Sequence, residues 1–266
     1  MHAFNYHRPA SLADAASLAA KSADAKLLAG GQSLVQAMKL RLASPTDLID
    51  LGTLKDLAGI RVSGSAVEIG AMARHAEVAN SAEVKKAIPA LAMLAGSIGD
   101  RQVRNMGTLG GSLANSDPAA DYPAAVLGLG ATVITNKGKH EADKFFKGLY
   151  ETALGKGEVI TAVSFPVAKR AAYVKFKNPA SRFAMVGVFV AETSSGVRVA
   201  VTGAGSRVFR VPEMEKALGA KFAPESVAGV KVKADGLNSD LHASAEYRAH
   251  LITVMAKRAV EAALKA

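Results

Sequence analysis

The sequence predicts a chain of mixed helices and strands in two parts, divided near residue 168. Three observations lead there. The first fifty residues alternate short strands with helices. A hairpin and a broken run of helices follow. After about Pro166 the pattern changes to successive strands, closed by a long alanine-rich helix. A chain of 266 residues can hold one large or two ordinary domains, each with its own core. With 50% apolar and 21% charged residues, the balance is globular rather than disordered.

Residues 4–6 read as a short strand. Ser11, three positions before Asp14, starts an alanine-rich helix in the manner of a capping box, reaching about Lys21. Residues 26–29 form a second strand that runs straight into Gly30-Gly31. Ser33 then caps a helix with Leu34, Val35, Met38 and Leu42 at helical spacing. Residues 46–51 make a third strand after the Ser44-Pro45 turn. Ile60, Val62, Val67 and Ile69 alternate around Ser63-Gly64-Ser65 and predict a hairpin. Residues 75–98 are helical in pieces, broken before Pro89. Residues 101–121 are polar, glycine-rich and nearly aperiodic, and the expectation is a long functional loop. In the second part, residues 172–176, 185–192 and 197–202 read as strands. Pro212 opens a helix through Leu218, and residues 244–265 form a helix with Tyr247, Leu251, Val254 and Met255 on one side.

Composition removes several function classes. Cysteine is absent, which excludes disulfides, thiolate catalysis, cysteine-ligated zinc and any iron–sulfur cluster held by this chain. The six histidines show no metal-binding spacing, so no metal site is expected. A net charge of +10 raises nucleic-acid binding, but the cations are scattered singly from Lys21 to Lys265, and tryptophan for base stacking is absent. A solvated basic surface, with some charge facing an anionic cofactor or an acidic partner, accounts for it. The longest apolar stretch, residues 122–135, contains Pro123 and falls short of the ~20 residues a membrane helix needs. No signal-peptide pattern opens the chain. The expectation is a cytoplasmic protein without a membrane span or a nucleic-acid partner.

Two glycine segments carry the chemistry. In Lys26-Leu27-Leu28-Ala29-Gly30-Gly31-Gln32-Ser33-Leu34, consecutive glycines after a strand let the backbone approach a ligand with its N–H groups turned one way. Ser33 opens a helix, whose N-terminus favours an anion. Thr108-Leu109-Gly110-Gly111-Ser112-Leu113-Ala114-Asn115 repeats that logic, followed by Asp117-Pro118-Ala119-Ala120-Asp121. A carboxylate there can accept from ribose hydroxyls or from a ring N–H. Taken singly, each segment is equally compatible with a packed structural turn. Together, about 80 residues apart, they suit one long dinucleotide spanning both. Neither GxGxxG nor GxxxxGK[ST] is present. Val201-Thr202-Gly203-Ala204-Gly205-Ser206 imitates the former but lacks its third glycine and reads as a structural turn.

AGGQS at 29–33, TLGGS at 108–112 and NSDPAAD at 115–121 resemble the two flavin segments of the FAD-binding medium subunits of molybdenum hydroxylases. That family includes carbon monoxide dehydrogenase and the matching parts of xanthine dehydrogenase and aldehyde oxidase. The resemblance covers nearly the whole chain, including the tail around Tyr247 and Leu251. It implies an α+β class: a two-subdomain FAD-binding fold, like that of vanillyl-alcohol oxidase, in residues 1–168 (subdomains about 1–53 and 54–168). A smaller α+β domain then occupies residues 169–266. It further implies that Lys26, Leu28, Ala29, Gly30, Gly31, Gln32, Ser33 and Leu34 form one wall of the FAD site. Thr108, Gly110, Gly111 and Ser112 form the other, with polar contacts from Asn115 and Asp121. Ile98 and Ile160 would lie near the flavin, and Lys177 would reach it from the second domain; for Ile98 and Ile160 a core role, and for Lys177 an ordinary surface position, remain open. Gln32 stands where the carbon monoxide enzymes have histidine, so carbon monoxide is not implied as substrate. With neither histidine nor cysteine in these segments, covalent flavin attachment is not expected, and the missing cysteines exclude the benzoyl-CoA-reductase-type branch, which carries an extra cluster.

The implied function is electron relay. A large partner subunit would hold the molybdenum cofactor and a small one two [2Fe–2S] clusters, in a dimer of heterotrimers, while this chain passes electrons through FAD to an external acceptor. It would need no catalytic base of its own and would be inactive on the organic substrate alone. The alternative is a self-sufficient FAD oxidase of the same fold acting on an alcohol or sugar, but only His242 and His250, in or beside the terminal helix, offer a base in the second part. Replacing Gly110 or Gly111 by valine is expected to abolish FAD content while leaving the fold largely intact.

Overall fold

A computed structural model describes residues 1–265. The chain opens with β1 (Asn5–His7), α1 (Leu12–Lys21), β2 (Lys26–Leu28), α2 (Leu34–Lys39) and β3 (Asp47–Asp50). Their strands form a parallel sheet in the order β1-β3-β2. Ser11 caps α1: its Oγ accepts from the Asp14 amide and donates to the Asp14 carboxylate at 2.7 Å. A small core of Ala15, Ile49, Leu51, Leu54, Leu57 and Val159 lies beneath this sheet.

The expected second helix is corrected. Ser33 holds the N-cap position of α2, yet its side chain makes no capping hydrogen bond. The helix is six residues long and stops at Lys39, because Arg41 turns into the left-handed region (φ 60). Leu42 therefore never joins an apolar face and is 79% exposed.

The hairpin forms as expected, from β4 (Ile60–Ser63) and β5 (Ala66–Gly70), turning at Gly64 with positive φ. α3 (His75–Asn80), α4 (Ala82–Ala87) and α5 (Pro89–Gly96) follow, with Pro89 at the first turn of α5 where its missing N–H is harmless. The long loop expected over 101–121 is instead largely helical: α6 (Arg101–Met106) and α7 (Leu109–Asn115). Each is started by a side-chain cap. Asp100 accepts from the Val103 amide at 2.9 Å, and Thr108 accepts from the Gly111 amide at 3.1 Å. Such short helices show too few repeats to reveal a period, and paired glycines in the first turn of α7 disguise it further.

α8 (Tyr122–Leu129) is buried on every side, as a helix apolar all round must be. β6 (Thr132–Thr135), β7 (Gly138–Glu141), α9 (Ala142–Phe145), β8 (Phe146–Gly148), β9 (Glu151–Thr152) and β10 (Ile160–Pro166) complete an antiparallel sheet in the order β4-β5-β10-β6-β7, with β8 and β9 paired apart. The remaining strands, β11 (Arg170–Lys177), β12 (Ala184–Thr193), β13 (Gly196–Thr202) and β14 (Phe209–Arg210), form a four-stranded antiparallel sheet. α10 (Pro212–Ala220), α11 (Pro224–Ala228) and α12 (Ala245–Ala263) cover one face of it. Leu251 and Met255 of α12 are buried there, whereas Tyr247 stays 42% exposed and meets Phe176 edge-on.

The other face of that sheet receives α8, and β11 stands between two cores. Tyr173 packs against the large core built from α5, α8 and the five-stranded sheet. Val174 and Phe176 pack against the core under α12, as strand alternation requires. Arg198 adds a polar tie: its Nε donates to the Leu127 carbonyl, and its Nη2 donates to both oxygens of Asp143 at 2.8 Å. No helix among the described residues is long and apolar enough to cross a membrane.

Candidate functional site

The two glycine segments, 80 residues apart in the chain, meet in space. A Cβ placed on Gly30 would lie 2.0 Å from the carbonyl oxygen of Met106 and 2.8 Å from the Cα of Gly107. Only glycine lets the first segment lie against the α6–α7 junction. A Cβ on Gly111 would lie 3.5 Å from that of Ala29, so α7 itself also touches the first segment.

The first segment keeps its donors free. β2 ends at Leu28, and the chain bends at Gly31 (φ +73) before entering α2. Among the described residues, none of the amides of Gly30, Gly31, Gln32, Ser33 and Leu34 donates to an acceptor; the first amide used is that of Val35, to the Gly31 carbonyl. Consecutive free amides bent round one point make an anion-binding concavity. A helix of six residues adds little dipole, so the amides themselves are the donor set. Gln32 and Ser33 are exposed beside them, and Lys26 is exposed at the start of β2.

The second segment behaves differently. Its amides are spent internally: Leu109 on the Ala73 carbonyl, Gly110 on that of Ala71, Gly111 on Thr108 Oγ1 and Ser112 on the Thr108 carbonyl. What α7 offers is a face of side chains. Leu109, Gly110 and Leu113 turn into the core, while Ser112 and Asn115 are half-buried with no side-chain partner among the described residues. Gly110 is tight for a structural reason, since a Cβ there would lie 2.6 Å from that of Ala71. The expectation that Gly110→Val spares the fold is therefore corrected: valine would displace core backbone.

Other residues reach the same region by different routes. Ile98 is half-buried against the large core, and Arg104 donates to the carbonyls of Ile98 and Gly99. Arg182, in the β11–β12 turn, donates to the Gly99 carbonyl at 3.4 Å, which brings the end of β11, with the exposed Lys177, over this loop. Ile160 is buried at the start of β10, one residue before Thr161, whose carbonyl accepts from the Ala71 amide. It adjoins α7 through Ala71 and belongs to the core. Leu28 and Leu34 are half-buried at either end of the first segment.

Asp121 is the most constrained polar residue here. It is 5% exposed, and its carboxylate accepts from Tyr173 Oη at 2.5 Å and from Lys175 Nζ at 2.9 Å. Burial pushes its carboxyl up from the usual range, with Lys175 the chief opposing influence. Next to it, the Tyr122 hydroxyl is buried without a partner, as is Nδ1 of His75, whose ring centre lies 5.3 Å away. Burial holds His75 neutral, with its pKa lowered to about 4. Tyr173 and Lys175 escaped the sequence reading, though their spacing with Lys177 is the period of a strand face. Nothing in the sequence singles out His75.

The glycine turn at 203–205 is a structural turn, as read from the sequence. The Gly203 amide donates to the Pro118 carbonyl, and its own carbonyl accepts from Arg248 at 3.0 Å. No cluster of metal-ligating side chains occurs among the described residues.

Free amides bent at a glycine, faced by a helix carrying a hydroxyl and an amide side chain, make a neutral donor set of the kind that suits a phosphate group. Neither a P-loop lysine nor a dinucleotide GxGxxG turn takes part. The chain belongs to the FAD-binding proteins of the molybdopterin dehydrogenases: residues 2–168 match the family described as FAD binding domain in molybdopterin dehydrogenase, and residues 171–263 match the CO dehydrogenase flavoprotein C-terminal domain. It is 37% identical to the nicotine 6-hydroxylase medium subunit of Paenarthrobacter nicotinovorans, over 97% of this chain and 96% of that one. It is 36% identical to the carbon monoxide dehydrogenase medium chain of Hydrogenophaga pseudoflava, over 98% and 96% of the two chains. Its structure matches a solved carbon monoxide dehydrogenase from the same organism with a TM-score of 0.91, covering 99% of this chain and 98% of that one at 37% identity.

Proposed function

We infer that this chain is the FAD-carrying electron-transfer subunit of a heteromeric molybdenum hydroxylase. The observation that carries this reading is the run of five free amides from Gly30 to Leu34, held against α7. Amides are neutral donors suited to the diphosphate of FAD, so the residues present fit that group. Lys26, Leu28, Ala29, Gly30, Gly31, Gln32, Ser33 and Leu34 would form one wall, and Thr108, Gly110, Gly111, Ser112 and Asn115 the other. Asp121 and Lys177 would approach from the seam with the last sheet, and Ile98 and Ile160 would supply apolar backing. Bound FAD supplies a carrier that collects electrons singly and passes on a pair. The chain's own work is to hold that carrier, orient it and exclude water from one side. None of its residues needs to act as a base toward an organic substrate.

Residues 1–168 would then act as the FAD domain, with subdomains 1–53 and 54–168, and residues 169–266 as its closing domain. The electrons would come from the [2Fe–2S] clusters of a small partner subunit, fed by a large molybdopterin-binding subunit, in a dimer of heterotrimers in the cytoplasm. The self-sufficient oxidase draws no support: His242 and His250 are both exposed on α12 or just before it. The test is reconstitution of the full chain with FAD, followed by heat denaturation. One FAD released per chain is the expected result; a chain that retains none after desalting overturns the reading.

A further inference from the structure

β11 presents Tyr173 and Lys175 two positions apart on the strand face turned away from α12, and Lys177 follows just past an irregularity in the ladder. Exposure rises along that stripe. The Tyr173 phenol packs in the core, the Lys175 side chain is 3% exposed, and Lys177 is exposed at the mouth of the site. The stripe meets Asp121, which ends the polar run leading out of α7 and opens α8. Both Asp121 oxygens face Lys175 Nζ, at 2.9 and 3.0 Å.

We propose that Lys175 is a positioning residue for the cofactor: with Tyr173 it fixes the Asp121 carboxylate as an oriented hydrogen-bond acceptor for FAD, so that docking of β11 and gripping of FAD are one event. The inference rests on the FAD reading above. Stability alone does not call for this arrangement, because a buried ion pair is often no better than apolar residues of the same volume. The pair sits where the segment leading out of α7 meets the last sheet, with the Lys175 and Asp121 side chains 3% and 5% exposed. Burial already raises the Asp121 carboxyl and Lys175 opposes that rise, so removing Lys175 would raise it further; a protonated carboxyl offers one acceptor fewer and a donor instead.

The other groups facing Asp121 do not duplicate Lys175. From β11 come Tyr173, a neutral donor, and Lys177, a more distant charge that lowers the carboxyl only weakly. From α8 comes the buried phenol of Tyr122, backed by His75, which its low pKa of about 4 keeps neutral. From β13, Thr202 donates to the Ala120 carbonyl. Neither α7 nor α5 carries a charged side chain.

The experiment titrates FAD into full-length wild type, Lys175→Met, Lys175→Arg and Tyr173→Phe between pH 6 and 9, reading flavin fluorescence, with thermal melts alongside. Lys175→Met is expected to bind FAD about tenfold or more weakly at pH 7. Its affinity should recover as pH rises, because ionising Asp121 restores the acceptor. Lys175→Arg should keep wild-type affinity, and Tyr173→Phe, which removes only one hydroxyl and whose fold the melts check, should shift the profile the same way by less. A loss equal at every pH, or an unchanged profile in Tyr173→Phe and Lys175→Met, overturns the proposal. Failure of wild type itself to bind FAD would instead sink the reading on which it rests.

Discussion

A single methyl group at Gly30 is expected to empty the FAD site. In Gly30→Ala the new Cβ would lie 2.0 Å from the Met106 carbonyl oxygen, 2.6 Å from its carbon and 2.8 Å from the Gly107 Cα. Ordinary contact begins at 3.4 Å, so the two walls must separate by about 1.4 Å. The α6–α7 junction cannot give way, because the Gly107 amide is bonded to the Val103 carbonyl and its carbonyl to the His75 amide, at 2.8 and 2.9 Å. The half-exposed first segment must move instead. Hydrogen bonds do not survive a displacement of that size. Losing two bonds to a charged diphosphate, at ~1.5–3 kcal/mol each, weakens FAD binding by roughly 10²- to 10⁴-fold. The loss in folding stability should stay near ~1–2 kcal/mol, since the strain can be relieved at the surface. FAD titration of the full chain reads the first quantity and urea unfolding the second. Gly219→Ala in α10 is the control, because nothing lies within 4 Å of its Cβ and FAD binding should not change. If Gly30→Ala bound FAD within threefold of wild type, the contact between the two segments would not be what shapes the site.

Three further outcomes follow from the same geometry. Burial works to raise the Glu158 carboxyl, but the Thr135 hydroxyl, the Gly155 amide and His140 outweigh it and hold its pKa at about 2. Its contribution is therefore complete above pH ~4.5 and lost as pH falls through about 2. Glu158→Gln should cost about 3 kcal/mol at pH 7 in urea unfolding and flatten the acid limb of stability. His75 shifts the opposite way for a base: burial holds its pKa at about 4, so between pH ~6.5 and 4 the unfolded chain takes up a proton that the folded chain refuses. Wild type should lose about 3 kcal/mol across that window, and His75→Leu should remove this slope. Asp143→Asn breaks the paired bonds to Arg198 and the 3.2 Å contact with Arg210. With Asp143 46% exposed, the expected loss is about 1 kcal/mol, seen as a lower urea midpoint that salt no longer shifts.

The hairpin and the three long strands after residue 168 were legible from their alternation, and the short elements of the first fifty residues from their punctuation by Ser11, Gly30-Gly31 and Ser44-Pro45. Residues 101–121 were not. α6 and α7 each make fewer than two full turns, and α7 begins with glycines that carry no side-chain pattern. Both helices exist because Asp100 and Thr108 cap them, a signal that sequence reading gives to longer helices. The pairing of Gly30 with Gly111 was legible as residue types, but the division of labour between them was not. Which amides are free depends on partners such as Ala71 and Ala73, brought in from a different stretch of the chain. Asp121 was legible as one of two carboxylates flanking a turn, while its partners Tyr173 and Lys175 could be found only once β11 was placed against α8.

That placement changes what the last sheet is for. If the C-terminal part were only a cap for the large core, the residues of β11 facing that core would serve best as apolar ones throughout. Tyr173 obeys that rule with its ring, but its hydroxyl and the ammonium of Lys175 are aimed at one carboxylate. A strand that spends two buried polar groups on a single acceptor gains little stability by doing so. It does gain orientation, because a carboxylate held from two directions cannot rotate. On the proposal above, the second part would be a working wall of the FAD site. The Arg198–Asp143 tie and the β11–Asp121 contact join the same two parts at separate places, so the last sheet is fixed at two points.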